Sequence, residues 1–314
     1  MKTPDVYICG FTKCATTTLY NALSQHSGVF CPEKKEPHYY FANRLGTSFS
    51  GPADQDTIKQ MFVTNKDDYI QLYEKGEGKL KVDGSAMYIT DIKIIEDILY
   101  DNPNAKFIVL LRDPVERAYS SYSHMRRDVR ETLTFSEALD EEKKGLRKSW
   151  LPIWHYASES FYADRLIDIR AKIGKHALFV GTQEEFLSDK QVFLSRVQEF
   201  LGLNNEELIV QKDNYSGEPK IRLLQKILMR KNPIKSFFKA VLPGVLRGYI
   251  KGLVRKANIG EKISLSPEIK VGLVQFYSTD VNYLDNEFPS LELELYWSNY
   301  FTTEARGYVG KDKE

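Results

Sequence analysis

A lysine and three consecutive threonines lie close together near the start of the chain, in the stretch Gly10-Phe11-Thr12-Lys13-Cys14-Ala15-Thr16-Thr17-Thr18. Residues 6–9 are uniformly apolar, which predicts a buried strand, and the residues from Thr16 onward have helical spacing. A loop that ends at a helix N-terminus presents unpaired backbone N–H groups and the positive end of the helix dipole, so it binds phosphate-like anions. We therefore predict an anion site at Lys13 and the threonines. The alternative is an ordinary strand–turn–helix with an exposed lysine.

A second basic group begins at Arg112, in the pattern R-D-P-x-x-R-x-x-S that ends at Ser120. Residues 107–111 are continuously apolar and predict a buried parallel strand. Asp113 suits a helix N-cap and is followed by proline, so Arg112 should lie at the carboxyl end of the strand and Ser120 two turns into a helix. Ligands of open α/β sheets bind at this edge, and the planar fork of an arginine suits a phosphate.

A carboxylate beside an aromatic cluster is the third candidate. Glu36 stands before Pro37 and His38, and three aromatic residues follow. Burial of a carboxyl group against aromatic rings raises its pKa, which suits a general base. The alternative is a charged turn in which Glu36 pairs with Lys34 or Lys35.

These candidates need strands and helices to position them. The stretches 79–83 and 177–181 are predicted to add two strands to those at 6–9 and 107–111, and helical patterns lie between them. The resulting order β-α-β-α-β-α-β predicts a parallel sheet with helices on both faces. We therefore predict an α/β fold of three layers around a central, mostly parallel sheet, followed by a helical C-terminal extension.

Both anion motifs match one known family. The spacing G-x-x-K-x-x-T-T-x-L resembles the P-loop-like 5′-phosphosulfate loop of sulfotransferases that use 3′-phosphoadenosine 5′-phosphosulfate (PAPS), although that loop usually has glycine where Ala15 stands. The pattern at Arg112 is similar to their 3′-phosphate motif. The resemblance covers residues 5–300. It implies that Lys13, Cys14, Ala15, Thr16, Thr17 and Thr18 hold the phosphosulfate, that Arg112 and Ser120 hold the 3′-phosphate, and that adenosine 3′,5′-bisphosphate (PAP) is the product.

The same resemblance assigns the remaining site residues. The Glu36-Pro37-His38 segment is similar to one in heparan-type and bacterial carbohydrate sulfotransferases, which implies that Glu36 deprotonates the acceptor and that His38 supports it. Heparan-type relatives commonly have a lysine that helps to hold the sulfonate where this chain has Gly84. A segment before Lys220 resembles one that closes over the nucleotide in bacterial relatives, which implies 3′-phosphate contacts from Lys220 and Arg222. The alternative for these two residues is a solvated helix start.

This reading gives one sulfotransferase domain over residues 1–314. Its α/β core would span residues 1–215, and a helical, basic, amphipathic extension over 216–300 would complete the donor site. Lysine and arginine dominate residues 220–262. That stretch suits a helical subdomain with a solvated basic face, attraction of an anionic polysaccharide, or peripheral contact with an anionic membrane through 230–257.

Arg117 and the aromatic residues of 150–162 are less specific signals. We interpret Arg117 as a surface residue that pairs with Asp113 or Glu116, not as a ligand. The aromatic segment has basic neighbours and suits sugar faces, but Phe161 and Tyr162 equally suit packing of a helix onto the sheet.

Composition and charge limit the partners, metals and cellular compartment that we expect for this chain. The net charge of +1 makes no general case for nucleic acid, and none of the five histidines has metal-ligand spacing to another histidine or cysteine. We therefore predict no nucleic-acid partner and no metal. Three cysteines near one end suggest a reducing compartment, and neither a signal peptide nor an apolar run of about 18 residues is found. We expect a cytoplasmic protein, with contact at the inner membrane surface as a further hypothesis.

The function that unites these signals is sulfonate transfer from PAPS to a hydroxyl or amine of a carbohydrate or polysaccharide. One alternative is a P-loop phosphotransferase such as a sugar or nucleotide kinase, but the chain lacks G-K-[ST], and Asp83 is only a loose candidate for binding magnesium. Another is a non-catalytic protein that binds polyanions or membranes, which leaves both anion motifs unexplained. The acceptor and the oligomeric state are not specified by the sequence.

Overall fold

The computed structural model describes residues 3–210, 258, 260 and 265–302. Its centre is one five-stranded sheet formed by β1 (Val6–Gly10), β2 (Val29–Phe30), β3 (Leu80–Asp83), β4 (Lys106–Leu111) and β5 (Leu178–Thr182). The strand order is β2-β3-β1-β4-β5, and every neighbouring pair is parallel. The predicted α/β fold with a parallel sheet is therefore confirmed.

Apolar runs explain the two central strands β1 and β4. All five residues of β1 are buried, and β4 is buried except for Lys106, so helices and loops must cover both faces of these strands. The strand β2 was not predicted, because its two residues are too short a run to produce a periodic signal.

Twelve α-helices lie within the described residues and surround the sheet. Those before β4 are α1 (Thr16–Leu23), α2 (Tyr39–Leu45), α3 (Asp54–Met61), α4 (Lys66–Gln71) and α5 (Ile92–Asp101). Those after it are α6 (Pro114–Arg127), α7 (Phe135–Lys143), α8 (Ala163–Ile173), α9 (Gln183–Ser188), α10 (Lys190–Leu201), α11 (Pro267–Glu287) and α12 (Leu293–Tyr296). None of these helices is both long enough and apolar enough to cross a bilayer.

The helix after β4 begins as predicted. The Asp113 carboxylate accepts the backbone N–H of Glu116 at 2.9 Å, and Pro114 is the first residue of α6. Arg112 therefore follows directly from a buried strand, and Ser120 lies two turns into the helix.

The central position of β1 creates the crevice of this fold. The connection after β1 leads to β2 on one side of the sheet, and the connection after β4 leads to β5 on the other side, so the two connections diverge above the carboxyl ends of β1 and β4. Gly10 pairs with Leu110, and a Cβ at Gly10 would lie 3.2 Å from the Leu110 carbonyl oxygen. The loop after Gly10 consequently starts close against β4, at the edge where open α/β sheets bind ligands.

The interpretation of Arg117 as a surface residue was wrong. Its side chain is fully buried, and the guanidinium donates to Ser160 Oγ at 2.6 Å and to the carbonyl oxygen of Tyr156. Arg117 therefore ties α6 to the segment at 155–160. In the aromatic segment 150–162, Trp154 and Tyr156 are also fully buried, so they belong to the core and not to a sugar-binding surface.

The long helix α11 packs at the same edge of the sheet. Its Asp280 carboxylate accepts the backbone N–H groups of Tyr162 and Ala163, at 2.8 and 3.2 Å, at the start of α8. The Tyr162 hydroxyl in turn donates to the carbonyl oxygen of Arg112 at 2.9 Å. Tyr162 is fully buried, so of the two roles considered for it the structure shows packing and not contact with a sugar. Lys220, Arg222, the membrane-contact stretch 230–257 and almost all of the basic stretch 220–262 lie outside the described residues.

Candidate active site

The loop between β1 and α1 has an unusual backbone. Lys13 and Ala15 both have left-handed conformations, with φ of 75° and 61°. Ala15 is the N-cap of α1, and no side chain caps this helix. The N–H groups of the first turn are therefore available to an anion, as a phosphate-binding loop requires.

Lys13 and Arg112 come together above the carboxyl ends of β1 and β4. The Arg112 guanidinium donates to the carbonyl oxygen of Lys13 at 3.5 Å. Burial, the charge of Arg127 and the charge of Arg112 lower the pKa of Lys13 to about 8. Three cations from three places in the sequence thus share one region, which is a strongly favourable environment for a phosphate or sulfonate.

Arg127 was not singled out as a ligand from the sequence. It lies at the last position of α6 and contacts Asp128 Oδ1 at 3.1 Å and His124 Nδ1 at 2.6 Å. The basic end of α6, His124-Met125-Arg126-Arg127, could have identified Arg127 from the sequence. The helix starts beside Arg112, so its basic end lies along the same crevice.

The predicted hydroxyl ligands differ in their surroundings. Thr17 is exposed, Thr18 is half-buried and Thr16 is buried. Ser120 is half-buried on α6, and no hydrogen bond between described residues joins it to Lys13 or Arg112. An additional hydroxyl, Thr12 Oγ1, is buried and has no hydrogen-bond partner in the described part of the chain.

Cys14 faces the interior. Its side chain is fully buried, and burial raises the pKa of its thiol to about 12. Cys14 can therefore contribute only backbone groups to an anion in this loop.

Glu36, the predicted base, is held by two neighbours. The Lys35 ammonium contacts Oε1, and His38 Nε2 lies 3.2 Å from Oε2. Glu36 is half-buried, with 23% of its side chain exposed, whereas His38 is only 1% exposed. Of the two lysines considered as partners for Glu36, the structure selects Lys35.

The expected rise in the pKa of Glu36 was wrong. Burial does raise the pKa, but the Lys35 ammonium and His38 outweigh it, and the pKa lies well below its ordinary value. The aromatic rings pack around His38 instead, with Phe62 at 4.9 Å between ring centroids. Glu36 is consequently ionised at neutral pH but is a weak proton acceptor while both oxygens remain paired.

The position of His38 is set by its backbone. His38 has a left-handed conformation with φ of 49°, and its N–H donates to Ser85 Oγ at 3.0 Å. Ser85 follows β3 and donates its own N–H to the buried Asp83 carboxylate at 2.8 Å. This chain of contacts anchors the Glu36 segment to the end of β3, which is the neighbour of β1.

Metal ligands do not cluster in residues 3–210 and 265–302, where no group of three His, Cys, Asp or Glu side chains has the arrangement of a metal site.

Comparisons with known proteins agree on one family. Human carbohydrate sulfotransferase 15 is 27% identical over 233 residues, which is 61% of this chain and 39% of the human protein. The mouse protein of that name is 23% identical over 235 residues, 62% of this chain and 40% of its own length. The chain thus spans less than half the length of these relatives.

A solved structure shares the fold. The crystal structure of a sulfotransferase from Alicyclobacillus acidocaldarius aligns with a TM-score of 0.70 at 24% identity and covers 91% of this chain and 96% of its own. A model of the sulfotransferase family matches residues 4–207, well over half of the chain. The chain belongs to the sulfotransferase family.

Proposed function

We propose that this chain transfers the sulfonate group of PAPS to a hydroxyl or amine of a carbohydrate. The observation that carries the proposal is the contact of the Arg112 guanidinium with the Lys13 carbonyl, at 3.5 Å. The two anion motifs meet there, although they lie 99 residues apart. A donor with phosphate groups at both its 5′ and 3′ ends needs two such motifs within one crevice.

On the donor side, the site would place positive charge and N–H donors next to the two phosphate groups of PAPS. Lys13 and the free N–H groups of the first turn of α1 neutralise the negative charge that develops on the 5′-phosphate oxygen as the sulfonate leaves it. Arg112 and Ser120 hold the 3′-phosphate, which fixes the donor before chemistry begins. The unpaired, buried Thr12 hydroxyl supports this assignment, because a buried donor without a partner fits a loop that is completed by a ligand.

On the acceptor side, Glu36 would be the general base. Glu36 takes the proton of the acceptor O–H or N–H, the acceptor atom bonds to sulfur, the bond from sulfur to the 5′-phosphate oxygen breaks, and PAP leaves. His38 holds the second carboxylate oxygen and so orients the first. The carbohydrate sulfotransferases among the relatives support a carbohydrate acceptor.

Isothermal calorimetry tests the donor. PAP, ADP and AMP are titrated into the protein in the presence of EDTA, and selective binding of PAP is expected because the 3′-phosphate is what Arg112 and Ser120 would recognise. Equal or tighter binding of ADP, or no binding of PAP, would contradict the proposal. A requirement for magnesium and ATP would instead favour a kinase.

Glu36→Gln tests the base. The substitution keeps the shape of the side chain but removes the proton acceptor, so we expect kcat to fall by about 10²–10⁴-fold while PAP affinity is retained. The turnover number kcat is measured by the transfer of the radioactive sulfonate group from labelled PAPS to neutral and anionic oligosaccharides. Glu33→Gln is the matched control, because Glu33 is an exposed carboxylate in the same segment. A Glu36→Gln enzyme with the turnover of the control would remove Glu36 from this role.

A further inference from the structure

We propose that Lys35 is the cation that holds the transferred sulfonate in this chain, and that it leaves Glu36 when the donor binds. The base would then become free only in the donor complex. This inference rests on the proposed function and assigns a further role within the same site.

Lys35 occupies the space beside Gly84. A Cβ at Gly84 would lie 2.9 Å from Lys35 Cγ and 3.2 Å from its Cε, so the stem of the lysine passes where a side chain at position 84 would have to stand. The Gly84 N–H donates to the Lys35 carbonyl oxygen at 3.1 Å, which fixes the lysine backbone at the end of β3. Position 84 has no side chain of its own, and the Lys35 side chain fills the space that one would occupy.

The ammonium group lies beside a side chain of α1, the helix that follows the anion-binding loop. Lys35 Nζ is 6.0 Å from the ring centroid of Tyr20, and Tyr20 is on α1, one turn after the helix begins at Thr16. A Cβ at Gly84 would also meet Tyr20 Cδ2 at 2.8 Å, so Gly84, Lys35 and α1 are packed together. Only 16% of the Lys35 side chain is exposed, and its flexible four-carbon stem allows the ammonium to turn from Glu36 toward an anion at α1.

The present pairing explains why a release is needed. Both oxygens of Glu36 are engaged, by Lys35 and by His38, and a carboxylate so paired accepts a proton poorly. Further titratable groups beside this cluster are Tyr20 on α1, Cys31, which contacts Tyr20, and Asp83 at the end of β3, and the Asp83 carboxylate is held by Tyr69 and Tyr88. A sulfonate that draws Lys35 away would leave Glu36 with His38 alone, so donor binding would strengthen the base.

The test compares PAPS with PAP, which differ in the sulfonate. Calorimetry without acceptor is carried out on Glu36→Gln and on Glu36→Gln/Lys35→Met, so that no carboxylate at position 36 repels the ligand. Loss of Lys35 should weaken PAPS binding about tenfold or more and leave PAP binding unchanged. Lys34→Met in the same background is the control, because Lys34 is the half-buried lysine next to it.

A further arm tests the release. Glu36→Gln alone should bind PAPS more tightly than the unsubstituted protein, since no ion pair has to break. Retained PAP binding shows that each variant is folded.

Three results would overturn the inference: equal losses of PAP and PAPS binding without Lys35, no loss of either, or unchanged PAPS affinity in Glu36→Gln. Failure of the unsubstituted protein to bind PAP would be a different result, because it would overturn the proposed donor itself. The two failures are therefore distinguishable.

Discussion

The ammonium group of Lys13 holds its proton less firmly than an exposed lysine does. Burial and the charges of Arg127 and Arg112 lower its pKa from 10.5 to about 8. An anion placed among these groups would favour the charged lysine and raise that pKa again. Ligand binding above pH 8 should therefore be coupled to uptake of a proton.

We accordingly expect PAP affinity to be constant near pH 7 and to fall by up to about tenfold per pH unit above pH 8. The phosphates of PAP are already ionised in this range, since their second pKa is near 6. Calorimetry in two buffers of different ionisation enthalpy measures both the affinity and the proton uptake. Lys13→Arg should abolish the slope, because arginine stays charged. A slope that persists in this variant would assign the titration to another group.

Glu36 shows what sequence reasoning can and cannot resolve at this scale. Its segment singles the residue out as a candidate base, but the direction of its pKa shift could not be predicted, because the rings contact His38 while Lys35 and His38 contact the carboxylate. The adjacent lysines at 34 and 35 are equivalent in the sequence. The contact of Lys35 with Glu36 and its packing over Gly84 distinguish them in the structure.

At the scale of elements, the loop between β1 and α1 carries a conformational strain. Ala15 has φ of 61°, and a left-handed backbone costs an L-residue with a Cβ roughly 1–2 kcal/mol relative to its right-handed form. Glycine at this position would remove the steric part of that cost, while it would lose more chain entropy on folding.

Ala15→Gly is therefore expected to raise the free energy of unfolding by about 0.5–1 kcal/mol. Ala22→Gly is the matched control, because Ala22 is a right-handed helical residue of the same helix. Glycine at this position should lower the free energy of unfolding by about 1 kcal/mol. Urea denaturation followed by circular dichroism measures both. The same sign of change in both variants would show that the strain at Ala15 has no energetic consequence.

Strands and caps were predictable where one local signal dominates. The strands β1, β4 and β5 follow from apolar runs, and the start of α6 follows from Asp113 and Pro114. Arg117 was misplaced because its buried partners, Ser160 and the carbonyl of Tyr156, lie about forty residues away and leave no mark on the local pattern. The same holds for the contact of Arg112 with Lys13.

Across the whole molecule, α11 supports the site from the far end of the chain. Asp280 caps α8 through Tyr162 and Ala163, and Tyr162 holds the carbonyl oxygen of Arg112. Glu184 adds a second link, since it accepts the Asp113 N–H at 3.2 Å and the Trp297 Nε1–H at 3.1 Å. The residues that follow β4 are therefore fixed by contacts with the C-terminal helices.

Asp280→Ala should lower the free energy of unfolding by about 1–3 kcal/mol, because two partly buried N–H groups lose their acceptor. We also expect weaker PAP binding, since Tyr162 and hence Arg112 would be less well positioned. Thermal unfolding and calorimetry measure the two effects. Asn286→Ala, at an exposed position of the same helix, should change neither. Loss of stability with unchanged PAP affinity would separate α11 from the site.

The order of the strands also has a consequence for synthesis. β1 is the middle strand and is made first, but its partners β3 and β4 begin 74 and 100 residues after it, at Leu80 and Lys106 against Val6. During synthesis, the apolar strand β1 therefore cannot be paired on both edges until about a third of the chain has been made. The central strand can complete its pairing on both edges only after residues 106–111 have been made.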